Sequence, residues 1–135
     1  YITSHYRTTS DTAIVGESLA GLFVVETFLL EPGLFDTYLA FDPSLWWNHE
    51  QLVASAAERL RGRAPLAKTL YLATSNEQGI VDAAARLAAV LGAHTPAGLR
   101  WHWERMPEEQ HATIYHPAAL RAFRAVLGPV KRGPG

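Results

Sequence analysis

Cysteine is absent from this chain. That excludes disulfides, thiolate metal sites and a cysteine nucleophile, and it assigns no compartment. Long hydrophobic runs are missing too. The apolar stretch from Leu22 to Leu30 is interrupted by Glu26 and stopped by Pro32, well short of a membrane span. Neither sign of charge dominates. A net charge of −1 leaves no electrostatic footprint for nucleic acid or an anionic membrane. Internal repeats, low-complexity segments and hairpin turns are also absent, and the last of these bears on topology.

What is present suits one domain. The 135 residues are 48% apolar and 19% charged, enough to enclose one sizeable core but not two. Tyr1 stands where a Met would open a gene product, so the native N-terminus is expected to lie upstream. Residues 1–130 are expected to form part of one domain, and 131–135, Lys-Arg-Gly-Pro-Gly, a disordered tail.

Short apolar runs alternate with helical periodicity along the chain. Thr8 to Asp11 reads as a turn into a strand at Thr12–Val15. A helix, apolar almost all round, is expected from about Ser18 to Leu30, before Pro32-Gly33. Tyr38–Phe41 reads as a buried strand, ended by Asp42-Pro43-Ser44, with Leu45-Trp46-Trp47 in a loop. Helical spacing returns from about His49 to Arg61 and stops at Gly62. Lys68–Ala73 is the third strand, and a helix from about Ile80 to Leu91 follows. Leu99–Glu104 alternates as an edge strand, and Pro117 opens a last helix with Leu120, Phe123 and Leu127 facing inward. The sum is β-α-β-α-β-α-β-α. With no hairpin signal, that order predicts an α/β fold, a parallel sheet of about four strands with flanking helices.

The informative stretch is Gly16-Glu17-Ser18-Leu19-Ala20-Gly21. A G-x-S-x-G-like sequence between a strand and a helix is a nucleophile elbow: small residues let strand and helix pass closely while a strained Ser projects its hydroxyl. Ser18 is therefore the candidate nucleophile, and the backbone N–H of Leu19 a candidate oxyanion-hole donor. A serine hydroxyl needs a base, and the base needs an orienting group; in this fold the chain order is Ser, acid, His.

His111 lies between the last strand and the last helix, which makes it the candidate base. His116, His102, His5, His49 and His94 have helix-end, strand-face or loop settings instead. A metal pair at His111 and His116 has unsuitable spacing and no evident third ligand; no metal and no cofactor are expected. Glu77, directly after the third strand, is the expected orienting acid. Asp82 in the next helix's first turn, Asp42 after the second strand, and a Ser–His dyad without an acid remain alternatives. Trp46 and Trp47 are candidates to line a substrate pocket, or simply to pack over helix ends.

Several of these segments together resemble one family. Arg7-Thr8, Ile14 to Leu22, Glu31-Pro32-Gly33-Leu34-Phe35, Asp42-Pro43-Ser44-Leu45-Trp46-Trp47 and Glu109-Gln110-His111-Ala112-Thr113 are similar to the esterase family of α/β-hydrolases. That family includes esterase D, the antigen 85 acyltransferases, feruloyl esterases and siderophore esterases, and the siderophore branch is the nearest. The resemblance implies Ser18 as nucleophile and His111 as base, with Glu77 where antigen 85 places a Glu. Some siderophore relatives work with a dyad. Asp42 replaces the usual first Ser of the Trp-Trp loop, which leaves its role open.

The resemblance also implies that the chain corresponds to the C-terminal half of a complete member. The other half would hold the second oxyanion-hole donor, a loss worth about 10²–10³ in rate, and would cover the edge of the first strand. The expected function is a serine esterase acting through an acyl-enzyme on a small-molecule ester, siderophore or aromatic. A non-catalytic half-hydrolase serving as a binding or assembly module is the alternative, and an antigen 85-like acyltransferase a third reading. The bare strand edge is expected to pair two copies of the chain or to hold the lacking half.

Overall fold

The computed structural model describes residues 12–60 and 67–127, with residues 47–50 and 127 described by backbone alone. The turn at Thr8–Asp11, the helix stops at Gly62 and Gly128-Pro129, and the tail at 131–135 lie outside the described residues. So do the side chains of Trp47, His49 and Leu127.

Four strands, β1 (Ala13–Glu17), β2 (Thr37–Phe41), β3 (Thr69–Thr74) and β4 (Arg100–Arg105), alternate with four helices among the described residues. The helices are α1 (Leu19–Leu30), α2 (Trp47–Leu60), α3 (Gln78–Ala93) and α4 (Tyr115–Leu127). The sheet runs β1-β2-β3-β4, parallel throughout, with Val15 opposite Leu39, Leu39 opposite Tyr71 and Tyr71 opposite His102. The parallel α/β reading of the sequence therefore holds.

Central and edge strands differ as their sequences differ. Every residue of β2 is buried, as is β3 beyond its first, because helices cover both faces of a parallel sheet. In β4, exposed and half-buried residues alternate from Arg100 to Trp103 and no residue is fully buried, the mark of an edge. Side chains on the central strands divide by parity. Tyr38, Ala40, Leu70 and Leu72 enter one core with α1, α2 and α3. Leu39, Phe41, Tyr71 and Ala73 enter a second core beneath α4, as a two-residue repeat requires. The connection from α1 to β2 is pinned by Tyr38, whose hydroxyl accepts from the Phe35 N–H and donates to the Pro32 carbonyl.

Four expectations need correction. Trp47 is the first residue of α2 rather than part of a loop. On α1, the apolar surface is not all enclosed: Leu19 and Phe23 are exposed while Val24, Val25, Phe28 and Leu29 are buried. On α4, Leu120 and Phe123 are 55% and 41% exposed, and the inward face is Ala118, Ala119 and Ala122 with Ile114 just before the helix. The small alanine side chains pack with Leu39, Phe41, Tyr71 and Ala73 in the second core. Pro117 sits inside the first turn of α4 rather than at its start, where a missing N–H leaves no hydrogen bond unmade.

Candidate active site

The carboxyl ends of β1, β2 and β3 and the loop after β4 meet above the sheet, where parallel α/β folds place ligands. Ser18 lies between β1 and α1 with φ of 61° and ψ of −121°. That backbone conformation is rare for any residue with a Cβ and costs of order 1–3 kcal/mol. Surrounding contacts enforce it. The Ser18 N–H donates to the Phe41 carbonyl at 3.0 Å, and the Ser18 carbonyl accepts from Leu22 at 3.0 Å and from Ser44 at 3.1 Å.

The flanking glycines permit the sharp reversal. A Cβ on Gly16 would lie 2.5 Å from the Ala20 carbonyl oxygen, and one on Gly21 would lie 3.1 Å from Pro43 Cα. This is the close strand–helix passage that an elbow requires.

Asp42 follows β2 directly and is completely buried, with φ of 46°, a conformation Asp tolerates better than most residues. Its N–H donates to the Ala73 carbonyl at 2.7 Å, continuing the sheet one step beyond β2. Its carboxylate accepts three hydrogen bonds. Ser75 N–H donates to Oδ1 at 2.6 Å, Ser75 Oγ to Oδ2 at 2.7 Å, and His111 Nδ1 to Oδ2 at 2.7 Å. A carboxylate only accepts, so Nδ1 carries the imidazole proton and Nε2 presents its lone pair. That lone pair faces Ser18 Oγ at 3.3 Å. A second hydroxyl, Ser44 Oγ, lies 3.4 Å from Ser18 Oγ.

The loop bearing His111 is fastened to the sheet. Met106 N–H donates to Thr74 O at 2.8 Å, and Asn76 N–H to Glu109 O at 2.9 Å. Beyond it, Ile114 and Ala118 enter the core under β2 and β3, carrying the chain back over β3 toward Asp42.

The structure thus brings Ser18, His111 and Asp42 into one hydrogen-bonded chain, and it does not bring Glu77 to His111 Nδ1. The expectation that Glu77 orients the imidazole is corrected: Asp42 occupies that nitrogen. Glu77 is exposed at the start of α3 and lines, with Ser18, Ser44, Trp46, Gly79, Ile80 and His111, an open depression of about 330 Å³. A slightly larger depression, about 360 Å³ between α1 and α2, contains no nucleophile–base pair.

Asp82 accepts from Gln78 along the exposed face of α3. His102 pairs with Glu104 on the edge strand, and His116 is exposed with its ring edge-on to Tyr115. No group of three metal-ligating side chains occurs among the described residues. Leu19 is the first residue of α1, so its N–H belongs to the unpaired first turn. Trp46 is half exposed beside the depression.

Two residues escaped the sequence reading. Ser44 and Ser75 are both buried; Ser44 stood within the Trp-Trp segment without a role, and the only signal for Ser75 was its position just past the end of an apolar strand.

Residues 1–95 match the family described as Putative esterase. Over 123 residues the chain is 28% identical to the ferri-bacillibactin esterase BesA of Bacillus subtilis, covering 86% of this chain and 43% of that protein. Over 53 residues it is 40% identical to the siderophore enterobactin esterase of Emericella nidulans, covering 39% of this chain and 18% of the relative. The fold matches an IroE-like serine hydrolase from Shewanella oneidensis with a TM-score of 0.80 and 28% identity, over 92% of this chain and 42% of the other. It also matches the siderophore hydrolase EstB of Aspergillus nidulans with a TM-score of 0.69 and 20% identity, over 90% of this chain and 51% of that one. The chain spans less than half the length of the curated relatives it matches. With the family's pattern running through the elbow, the Asp42 loop and the first three helices, this chain belongs to the Putative esterase family.

Proposed function

We propose that this chain carries the nucleophile, base and orienting acid of a serine esterase that cleaves carboxylic esters through an acyl-enzyme. The observation that carries this reading is the linear relay from Asp42 Oδ2 through His111 to Ser18 Oγ, at 2.7 and 3.3 Å. In the first half-reaction Ser18 Oγ attacks the ester carbonyl carbon as its proton passes to His111 Nε2. The negative charge on the carbonyl oxygen is met by the Leu19 N–H at the helix start. Collapse of the tetrahedral intermediate breaks the bond to the alcohol, which leaves with the proton from His111. Water then repeats the sequence, releasing the acid and restoring Ser18. Asp42 holds the imidazole in the tautomer that both halves need.

Relatives named for enterobactin and ferri-bacillibactin ester cleavage favour a siderophore ester as substrate. Trp46, half exposed at the depression, supplies a flat apolar wall suited to an aromatic or acyl group.

The exposed Val15, Leu19 and Phe23 favour a second reading for the isolated chain: a half-hydrolase that binds another surface and turns over little ester alone. Intact-mass analysis after incubation with a fluorophosphonate tests both. One adduct per chain, lost in Ser18→Ala, is the expected result for an activated nucleophile. Labelling of the full-length gene product but not of the isolated chain would assign the second reading to the chain. Labelling of neither would defeat the esterase reading.

A further inference from the structure

The relay does not end at Asp42. Its carboxylate is fully buried, and two of its three hydrogen bonds come from one residue, Ser75, the first residue after β3. The Ser75 N–H donates to Oδ1 at 2.6 Å and the hydroxyl to Oδ2 at 2.7 Å. Together they hold both carboxylate oxygens and so fix rotation of the carboxylate plane. Oδ2 is also the oxygen that receives His111 Nδ1.

The direction of the Ser75 hydroxyl is itself set. Its oxygen accepts the Glu77 N–H at 3.2 Å, which occupies a lone pair and leaves the single hydroxyl hydrogen for Asp42. The start of α3 is thereby coupled to the acid. We infer that Ser75 is a positioning residue for the ester cleavage proposed above: its hydroxyl aims the Asp42 carboxylate at His111 and keeps the imidazole in line with Ser18.

This inference rests on the esterase reading, and the effect should pass entirely through Asp42. An effect through general packing would not. Residues acting as one unit give strongly non-additive losses, so a double-mutant cycle separates the two cases.

The cycle would be measured on the full-length gene product with a p-nitrophenyl ester. Ser75→Ala is expected to lower kcat about ten- to a hundredfold, the worth of one hydrogen bond to a charged group, with KM little changed. Ser75→Thr, which keeps the hydroxyl, should recover most of that loss. On an Asp42→Asn background, whose amide has lost the His111-orienting carboxylate, Ser75→Ala should add almost nothing. A wild-type kcat in Ser75→Ala, a Ser75→Thr as slow as Ser75→Ala, or additive losses in the double variant would each overturn the proposal. Should Ser75→Ala fail to fold, Ser75→Cys, with a weaker donor of similar size, enters the same cycle. Undiminished hydrolysis by Ser18→Ala would instead overturn the esterase reading, and this inference with it.

Discussion

Asp42 and His111 stand 69 residues apart in the chain and 2.7 Å apart in the fold. Glu77, exposed at the start of α3, has no such contact, so the two acids should differ sharply on substitution. Asp42→Asn is expected to lower kcat by about 10³–10⁴, because an amide favours the wrong imidazole tautomer. Glu77→Gln, which removes a solvent-exposed charge worth about 1 kcal/mol or less, should cost under about tenfold. Turnover of an aryl ester by the full-length gene product measures both. Comparable losses would return Glu77 to the orienting role.

The two elbow glycines should also differ. On Gly16, a Cβ at 2.5 Å from a backbone oxygen forces β1 and α1 apart, and Gly16→Ala should destabilise by about 2–4 kcal/mol. On Gly21 a Cβ would meet three backbone atoms at 3.1, 3.2 and 3.3 Å, a milder clash that the helix propensity of Ala, worth about 1 kcal/mol over Gly, offsets in part. Urea denaturation midpoints should place Gly16→Ala far below wild type and Gly21→Ala between the two.

Tyr71 gives the fold a signature at high pH. Its phenol is pushed up to about 12, first by burial and then by the nearby Glu104 carboxylate, against an opposing effect of Arg121. A folded value above the unfolded one means that stability is complete below about pH 10 and is lost as pH rises toward 12. The loss should approach about 3 kcal/mol, at about 1.4 kcal/mol per unit. Phenolate absorbance should show Tyr71 ionising well above pH 10 or only on unfolding, while Tyr71→Phe should flatten the high-pH decline. Ionisation of every tyrosine near pH 10 in the folded protein would contradict this.

On its own the chain is expected to associate. β1 pairs with β2 alone among the described residues, and Val15, Leu19 and Phe23 are exposed near its free edge. A bare strand edge beside apolar side chains is a template for pairing. Sedimentation at micromolar concentration should show a species larger than a monomer, shifted toward monomer by Val15→Lys. A monomeric wild type would refute the expectation.

The order of strands and helices was legible because β2 and β3 are short, mostly apolar runs between helical repeats, and that pattern admits little but a parallel sheet. The elbow was legible because its glycines have a local steric cause. The choice between Asp42 and Glu77 was not. Both follow a strand end, and what separates them is the path of the chain after β4.

That path depends on α4 presenting Ala118 and Ala122, rather than Leu120 and Phe123, to the sheet. Those alanines share the second core with Leu39, Phe41, Tyr71 and Ala73, and the loop before the helix places His111 beside Asp42. Periodicity alone ranks Leu and Phe as the buried positions, and position just after a strand does not tell Asp42 from Glu77.

At the head of the sheet, Ser18 bonds to the carbonyl of Phe41, Asp42 to that of Ala73, and Met106 to that of Thr74. Each bond is the next rung of a ladder that continues past the strands. The distance between nucleophile and acid is therefore a backbone dimension, as stiff as the sheet and shared with it. Among the described residues, nothing between Ser18 and Asp42 offers a hinge to loosen on warming. Their spacing should persist until the sheet melts, and then be lost all at once.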